Sequence, residues 1–225
     1  MKHVDIKHET DALPAHPHRR FGAVDGDDLA RLIEEHPLAW VVSATSETFR
    51  STLLPLRILE RDADGGISRL RGHIARSNKH LALLKANPRA TALFLGAHGY
   101  VSPSWMRDRS QAPTWNYVSA QFQLELTFHE DPERIDAALR DLVEGMEAGR
   151  PERWSVEEMG QRYAGLARGV VAFDARVLWA EPKYKLGQDE RGDVYADIVS
   201  GLQADGGRDL VDWMNLYNAA RKSND

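Results

Sequence analysis

Polar and apolar residues alternate along residues 118–128, which is the clearest pattern in the chain. One set of alternate positions is apolar: Phe122, Leu124, Leu126 and Phe128. The other set is polar: Gln121, Gln123, Glu125 and Thr127. Because successive side chains of a strand point to opposite faces, this pattern predicts a strand with one buried face and one face in water.

Shorter apolar runs, several rich in β-branched residues, predict further strands. An Asp- and Gly-rich turn at residues 62–66 separates two of them, which favours antiparallel pairing. These runs are residues 38–45, 51–59, 67–72, 90–95 and 170–179. Together with residues 118–128 they predict a mainly β fold, an antiparallel barrel of six or seven strands with inserted and appended helices.

Helical spacing of apolar residues accounts for most of the remaining chain. It occurs at residues 25–35, 77–86, 132–148, 155–166, 190–202 and 208–220. The fourth of these segments opens with Ser155 and Glu158 at the spacing of a capping box. We therefore predict an extended arm at residues 1–24, a barrel domain at 25–186, and a helical segment at 187–225 that packs on the barrel or on a partner subunit.

Composition narrows the possible functions. The 225 residues include no cysteine, which excludes disulfides, thiolate metal sites and cysteine nucleophiles. The net charge of −5 gives no overall electrostatic footprint for binding nucleic acid, although a local basic face stays open. Since the apolar runs have only the length of strands, neither a signal peptide nor a membrane span is expected, and we predict a cytoplasmic protein.

Residues 72–80 join a predicted strand to a predicted helix and carry several candidate ligands for an anion. Ser77 or Asn78 is expected to cap the helix, while Arg76 and Lys79 flank its positive end and His73 precedes them. This arrangement is typical of a pocket for a phosphate monoester. An ordinary capped helix with solvated basic residues is the alternative.

Two other clusters contain candidate binding residues. One is aromatic and polar, and consists of Tyr100, Ser102, Trp105, Trp115, Asn116 and Tyr117. Buried Trp and Tyr need polar partners, so a subunit interface or the wall of a planar-ligand site competes with a plain barrel core. The second, Lys185 and Gln188, follows the last strand and could donate hydrogen bonds to a ring or a phosphate, or belong to a solvated loop.

Catalytic templates are mostly missing. We find no nucleophile elbow, Walker loop, dinucleotide fingerprint or zincin motif. A metal site formed by His73, His80 and His98 matches no known ligand spacing. The lack of a marked nucleophile is expected if a cofactor carries the chemistry.

Six motifs, in order, resemble those of the PaiB family of FMN-binding split-barrel proteins, often described as negative transcriptional regulators. They cover about residues 27–205 and are His36-Pro37-Leu38, Leu53-Leu54-Pro55-Leu56, Gly72-His73-Ile74-Ala75-Arg76-Ser77-Asn78, His98-Gly99-Tyr100-Val101-Ser102-Pro103-Ser104-Trp105, Pro113-Thr114-Trp115-Asn116-Tyr117 and Lys185-Leu186-Gly187-Gln188. The resemblance implies a split barrel of Greek-key type with peripheral and C-terminal helices. It also implies a homodimer with a flavin near the subunit seam.

The resemblance also implies which residues bind FMN. The ring and ribityl chain would be lined by Ser51, Thr52, Leu53 and Leu54. The phosphate would be held by Arg76, Ser77 and Asn78, directly after His73, Ile74 and Ala75. Closure over the ring, from the same or the other subunit, would involve Trp115, Asn116, Tyr117, Lys185 and Gln188. The chain departs from the family at residues 119–123, where the family has a His-rich strand, and at Gly187, where the family has Ser.

Two alternatives to a flavin-dependent redox role on a small molecule follow from the same resemblance. A related branch, similar to haem-dependent piperazate synthases, binds haem b through a His and a Lys that match His73 and Lys185. The other alternative is a transcriptional regulator, although the chain shows neither a helix-turn-helix nor a basic stripe.

Overall fold

Six antiparallel strands close into a barrel in a computed structural model that describes residues 21–22, 26–45 and 48–222. The strand order around the barrel is β1-β2-β3-β6-β5-β4. The strands are β1 (Leu38–Ala44), β2 (Phe49–Arg61), β3 (Ile67–Ala75), β4 (Arg89–Val101), β5 (Thr114–His129) and β6 (Val170–Lys185). The predicted antiparallel barrel is thus confirmed, whereas the arm predicted at residues 1–24 lies almost entirely outside the described residues.

Helices occupy the connections and the C-terminal part. They are α1 (Gly26–Glu35), α2 (His80–Ala86), α3 (Pro132–Glu147), α4 (Arg162–Ala167), α5 (Gly192–Ala204) and α6 (Arg208–Lys222). Short 3-10 turns form at Pro103–Trp105 and Val156–Met159.

The core fills the barrel and continues under α1, α5 and α6. Inward-facing rings such as Phe94 and Phe122 meet edge to face, with their centroids 5.4 Å apart. On α6, Trp213 is buried against Tyr184 of β6, and its Nε1 donates to Glu35 of α1 at 3.0 Å. The apolar face of α6 therefore packs on the barrel of its own chain.

Several predicted boundaries were wrong. β3 continues past Gly72 to Ala75, and α2 begins at His80 rather than at Ser77. The extension arises because β6 pairs with β3 as far as Ala75, so that sheet hydrogen bonding prevails over the local helix signal. The helix predicted at 155–166 is interrupted at Gly160, which has a φ of +53°.

Gly72 provides a test of barrel packing. An added Cβ would lie 2.6 Å from Phe173 Cζ and 2.8 Å from Leu56 Cδ2. We expect Gly72→Ala to lower the free energy of unfolding by about 1–3 kcal/mol because the closed barrel has no room for the methyl group. Urea denaturation measures this change. Gly192→Ala is the control, since apart from its chain neighbours and the backbone of its own helix no atom lies within 4 Å of its added Cβ. Equal effects of both substitutions would contradict the packing argument.

Candidate functional site

The residues predicted to bind FMN lie in two groups at opposite ends of β6. The turn group comprises Ser51, Thr52, Arg76, Ser77 and Asn78. Just before it, Ala75 pairs with Val170, the first residue of β6. The hairpin group comprises Trp115, Tyr117 and Lys185.

Tyr117 pairs with Lys185, the last residue of β6. Because β6 has 16 residues, its extended contour is roughly 50 Å at the usual rise per residue. The two groups of one chain therefore cannot meet on a single flavin ring.

Strand alternation divides the β2 residues of the predicted site between two faces. Leu54 is buried in the barrel, and Thr52 faces the same side, where it meets α2. Ser51 and Leu53 are exposed on the outer face. Only the latter two side chains lie on the outer face, where a flat ring could stack.

Arg76 leaves the barrel at the turn after β3 and meets the segment before α3. Its Nε donates to the carbonyl of Arg168 at 2.9 Å, and its Nη1 lies 2.5 Å from Glu130 Oε2. Glu130 also pairs with Lys85 Nζ at 2.5 Å, and the two cations, Lys85 first, lower the pKa of Glu130 to about 2. Neither contact uses Nη2 of Arg76, so its N–H groups remain for another acceptor. The guanidinium and the hydroxyl of Ser77, the next residue in the chain, are donors of the kind that bind a phosphate.

His80, the first residue of α2, has a role in this region that was not predicted. It is only 2% exposed, and its two ring nitrogens hydrogen-bond with Ser43 Oγ at 2.7 Å and Thr52 Oγ1 at 3.0 Å. Burial, with a smaller contribution from the charge of Arg50, lowers its pKa. Asn78 Oδ1 accepts the backbone N–H of His80 at 2.9 Å, but the N-cap position is Lys79, which makes no side-chain capping bond, so the predicted capping by Ser77 or Asn78 was wrong.

His73 and Ile74 occupy different environments. Ile74 is 1% exposed in the barrel core, where a cofactor outside the barrel cannot reach it. His73 pairs with Ala172, on which Ile135 and Ala138 of α3 pack, and burial lowers the pKa of this imidazole. Since Ala172 lies near the start of β6 and Lys185 ends it, His73 and Lys185 of one chain cannot ligate the same haem iron.

The hairpin group presents an aromatic surface. The Trp115 side chain is 53% exposed, lies edge-on to Tyr100 with ring centroids 6.0 Å apart, and stacks near His98 at 6.4 Å. Tyr117 pairs with both His98 and Lys185, which places these three residues in one outward row. Lys185 Nζ contacts the Thr114 hydroxyl. This surface can cover a planar ligand and offers one cation at its edge.

Asn116 and Gln188 do not join that surface. Asn116 is 2% exposed, and its amide nitrogen lies 3.7 Å from Met214 Sδ, so the neighbouring residues Trp115 and Tyr117 face the opposite way. Gln188 donates to the carbonyl of Tyr184 at 2.5 Å and accepts the N–H of Leu186 at 2.7 Å. Both side chains therefore make contacts within their own chain rather than facing the aromatic surface.

Gly187 explains one departure from the family pattern. Its φ is +75°, a left-handed conformation that glycine adopts at much lower cost than serine. The tight loop closed by Gln188 around this residue therefore suits glycine.

An apolar belt crosses the outer face of the barrel beside the turn group. It consists of Leu53 on β2, Trp40 on β1 and Leu93 on β4, which are register partners across three adjacent strands. Each of these side chains is more than 40% exposed. Neighbouring exposed apolar side chains of this kind are typical of a surface that contacts a partner.

The conceivable metal site is not formed. His80 is enclosed by Ser43 and Thr52, while His98 lies on the outer face of β4. Over residues 26–45 and 48–218, no three His, Asp or Glu side chains are arranged to hold a metal ion. Among the described helices, none is long and apolar enough to cross a membrane.

Comparison with known proteins identifies the family. The model of the family described as "Putative FMN-binding domain" matches residues 16–178. The chain belongs to this FMN-binding family. A curated relative, Protease synthase and sporulation protein PAI 2 of Bacillus subtilis, is 26% identical over 185 residues, which cover 81% of this chain and 86% of the relative. The resemblance to the PaiB family and the prediction of FMN as cofactor are thereby confirmed.

Solved structures share the fold of this FMN-binding family member. The flavocytochrome Anf3 from Azotobacter vinelandii matches with a TM-score of 0.59 and 15% identity, covering 81% of this chain and 78% of that one. An FAD- and haem-binding protein from Mycobacterium smegmatis matches with a TM-score of 0.51 and 18% identity, covering 80% and 79%. At these identities the similarity establishes the split-barrel fold alone.

Proposed function

We propose that this chain is an FMN-binding flavoprotein that forms a homodimer with two equivalent flavin sites. Each site combines the turn group of one subunit with the hairpin group of its partner, and the bound flavin supports redox chemistry on a small molecule. The observation that carries the proposal is the separation of the two groups at opposite ends of the 16-residue β6.

A second copy of this chain is the occupant that best fits the apolar belt. The belt is continuous across three strands and adjoins Ser51 on β2, so covering it would bring a partner surface to the turn group. A two-fold axis through the belt would also create the second site by symmetry. Burying the belt would remove apolar area from water, which supplies the free energy of association.

The side chains divide the work of holding FMN. Arg76 and Ser77 would hold the phosphate, Leu53 would pack against the ring, and Trp115 of the partner subunit would cover the ring from the other side. FMN supplies the hydride- or electron-transfer chemistry, while the protein binds it, orients it and excludes water. The lack of a marked nucleophile agrees with this division.

Arg76→Ala tests the phosphate assignment. We expect FMN affinity to fall at least tenfold, because a charge-assisted hydrogen bond to phosphate contributes roughly 1.5–3 kcal/mol. Riboflavin affinity should stay unchanged, since riboflavin has no phosphate. Titration by quenching of flavin fluorescence measures both.

Arg69→Ala is the matched control, because Arg69 lies on β3, the strand that ends directly before Arg76, and its ion pair with Glu60 is exposed. Equal losses for FMN and riboflavin, or no loss for either, would contradict the phosphate role of Arg76.

The absorption spectrum of the purified protein tests the cofactor itself. Flavin bands that persist through gel filtration are expected, whereas a Soret band would favour the haem alternative.

A further inference from the structure

Two hydroxyl groups bind the buried ring of His80, and a third polar side chain, Asn78, connects His80 to the proposed flavin site. Ser43 on β1 and Thr52 on β2 meet the two ring nitrogens. Asn78 bonds to both His80 and Thr52. Its Oδ1 accepts the His80 backbone N–H, and its Nδ2 lies 3.4 Å from Thr52 Oγ1. Of the turn group, Thr52 therefore contacts the imidazole itself, and Asn78 links Thr52 to the His80 backbone.

The direction of two of these hydrogen bonds is fixed. A backbone N–H can only donate, so the atom of Asn78 that it meets must be the carbonyl oxygen. The other end of the Asn78 amide is then NH₂, which donates to Thr52 Oγ1. Thr52 keeps one lone pair and its own proton for two further partners.

The tautomer of His80 determines whether Thr52 offers a ligand its hydroxyl proton or a lone pair. If Nδ1 carries the proton, it donates to Thr52, Ser43 donates to Nε2, and the Thr52 hydroxyl keeps a free O–H. If Nε2 carries the proton, it donates to Ser43, Nδ1 accepts from Thr52, and Thr52 has only a lone pair to offer. Burial of the ring keeps it neutral by lowering its pKa, so that one of these two tautomers is present near neutral pH.

We propose that His80 is a positioning residue that adopts the Nδ1–H tautomer when FMN binds and thereby makes Thr52 a hydrogen-bond donor to an oxygen of FMN. The oxygen belongs to the phosphate. The inference rests on the proposed FMN site. Its physical basis is that a phosphate dianion has only acceptors, so it selects the state in which Thr52 can donate.

Nitrogen NMR of the full-length protein labelled with ¹⁵N-histidine tests the tautomer directly, with and without FMN. Two other histidines calibrate the spectrum. His98 Nδ1 faces the carbonyl of Gly96 and must be protonated, whereas His129 Nδ1 faces Arg134 and must be unprotonated. His80, assigned by the signal lost in His80→Phe, should match His98 in the FMN complex. A match to His129 would overturn the proposal.

Binding measurements test whether His80 acts through Thr52. Thr52→Val should weaken FMN binding by about tenfold while Thr52→Ser retains it, as expected for a donor to a charged or polar oxygen. His80→Phe should weaken FMN binding in the wild-type background but have no further effect in the Thr52→Val background. Additive losses in this double-mutant cycle would show a merely structural role for His80 and contradict the proposal.

Riboflavin tests whether the acceptor is the phosphate. Thr52→Val should weaken only FMN binding, and equal losses for FMN and riboflavin would contradict donation to the phosphate. A wild-type protein that binds neither flavin would refute the proposed function itself. Normal FMN binding with an unprotonated Nδ1 on His80 would refute only the present inference.

Discussion

Trp40→Asp will convert the protein to a monomer and reduce its FMN affinity at least 100-fold. Trp40 lies at the centre of the apolar belt, with Leu53 and Leu93 as its register partners on either side. A carboxylate there would have to be buried without a counter-ion in the dimer, and this costs several kcal/mol per subunit. Sedimentation analysis measures the association state, and flavin fluorescence measures binding.

Leu166→Asp is the matched control for that substitution. Leu166 is also an exposed apolar residue, 57% accessible, but it lies on α4 and not on the belt. We expect this variant to stay dimeric and to bind FMN normally. If Trp40→Asp became monomeric and still bound FMN at full affinity, the flavin site would lie within one subunit.

The barrel was predictable because its longest strands follow simple alternation. In β5, every second residue from Asn116 to Leu126 is buried, and the same period is visible in the letters of residues 118–128. The ends of the strands were not predictable in the same way. β4 continues through a bulge after Leu95 to Val101, and its pairing with β5 is a property of both strands together.

The candidate site was predicted in part. Arg76, Ser77 and Asn78 do follow a strand and precede a helix, and the motif made them visible. Asn116 was grouped with Trp115 and Tyr117 because the three are adjacent in sequence. The period of two that held elsewhere in β5 separates Asn116 from its neighbours and directs it inward.

His80 was missed because its partners are remote in sequence. Thr52 lies 28 positions away and Ser43 lies 37 positions away, and both come from other strands. Nothing in the Lys79-His80-Leu81 segment distinguishes this histidine from a solvated one. Closure of the barrel and the seating of α2 on it bring the three side chains together.

Subunit complementation tests most directly whether each flavin site is shared. Arg76→Glu would disable the turn group, and Trp115→Ala would disable the hairpin group, whose tryptophan is exposed enough to be removed without loss of core packing. Each homodimer should bind FMN poorly. A heterodimer of the two variants, isolated with two different affinity tags, contains one site with both substitutions and one with neither.

The measurement is the FMN stoichiometry and affinity of that heterodimer. Our account predicts one FMN per dimer, bound with wild-type affinity, because one shared site is restored. If each site were built within one subunit, both sites of the heterodimer would remain defective. A heterodimer that binds FMN no better than the two homodimers would therefore contradict a flavin site shared between subunits.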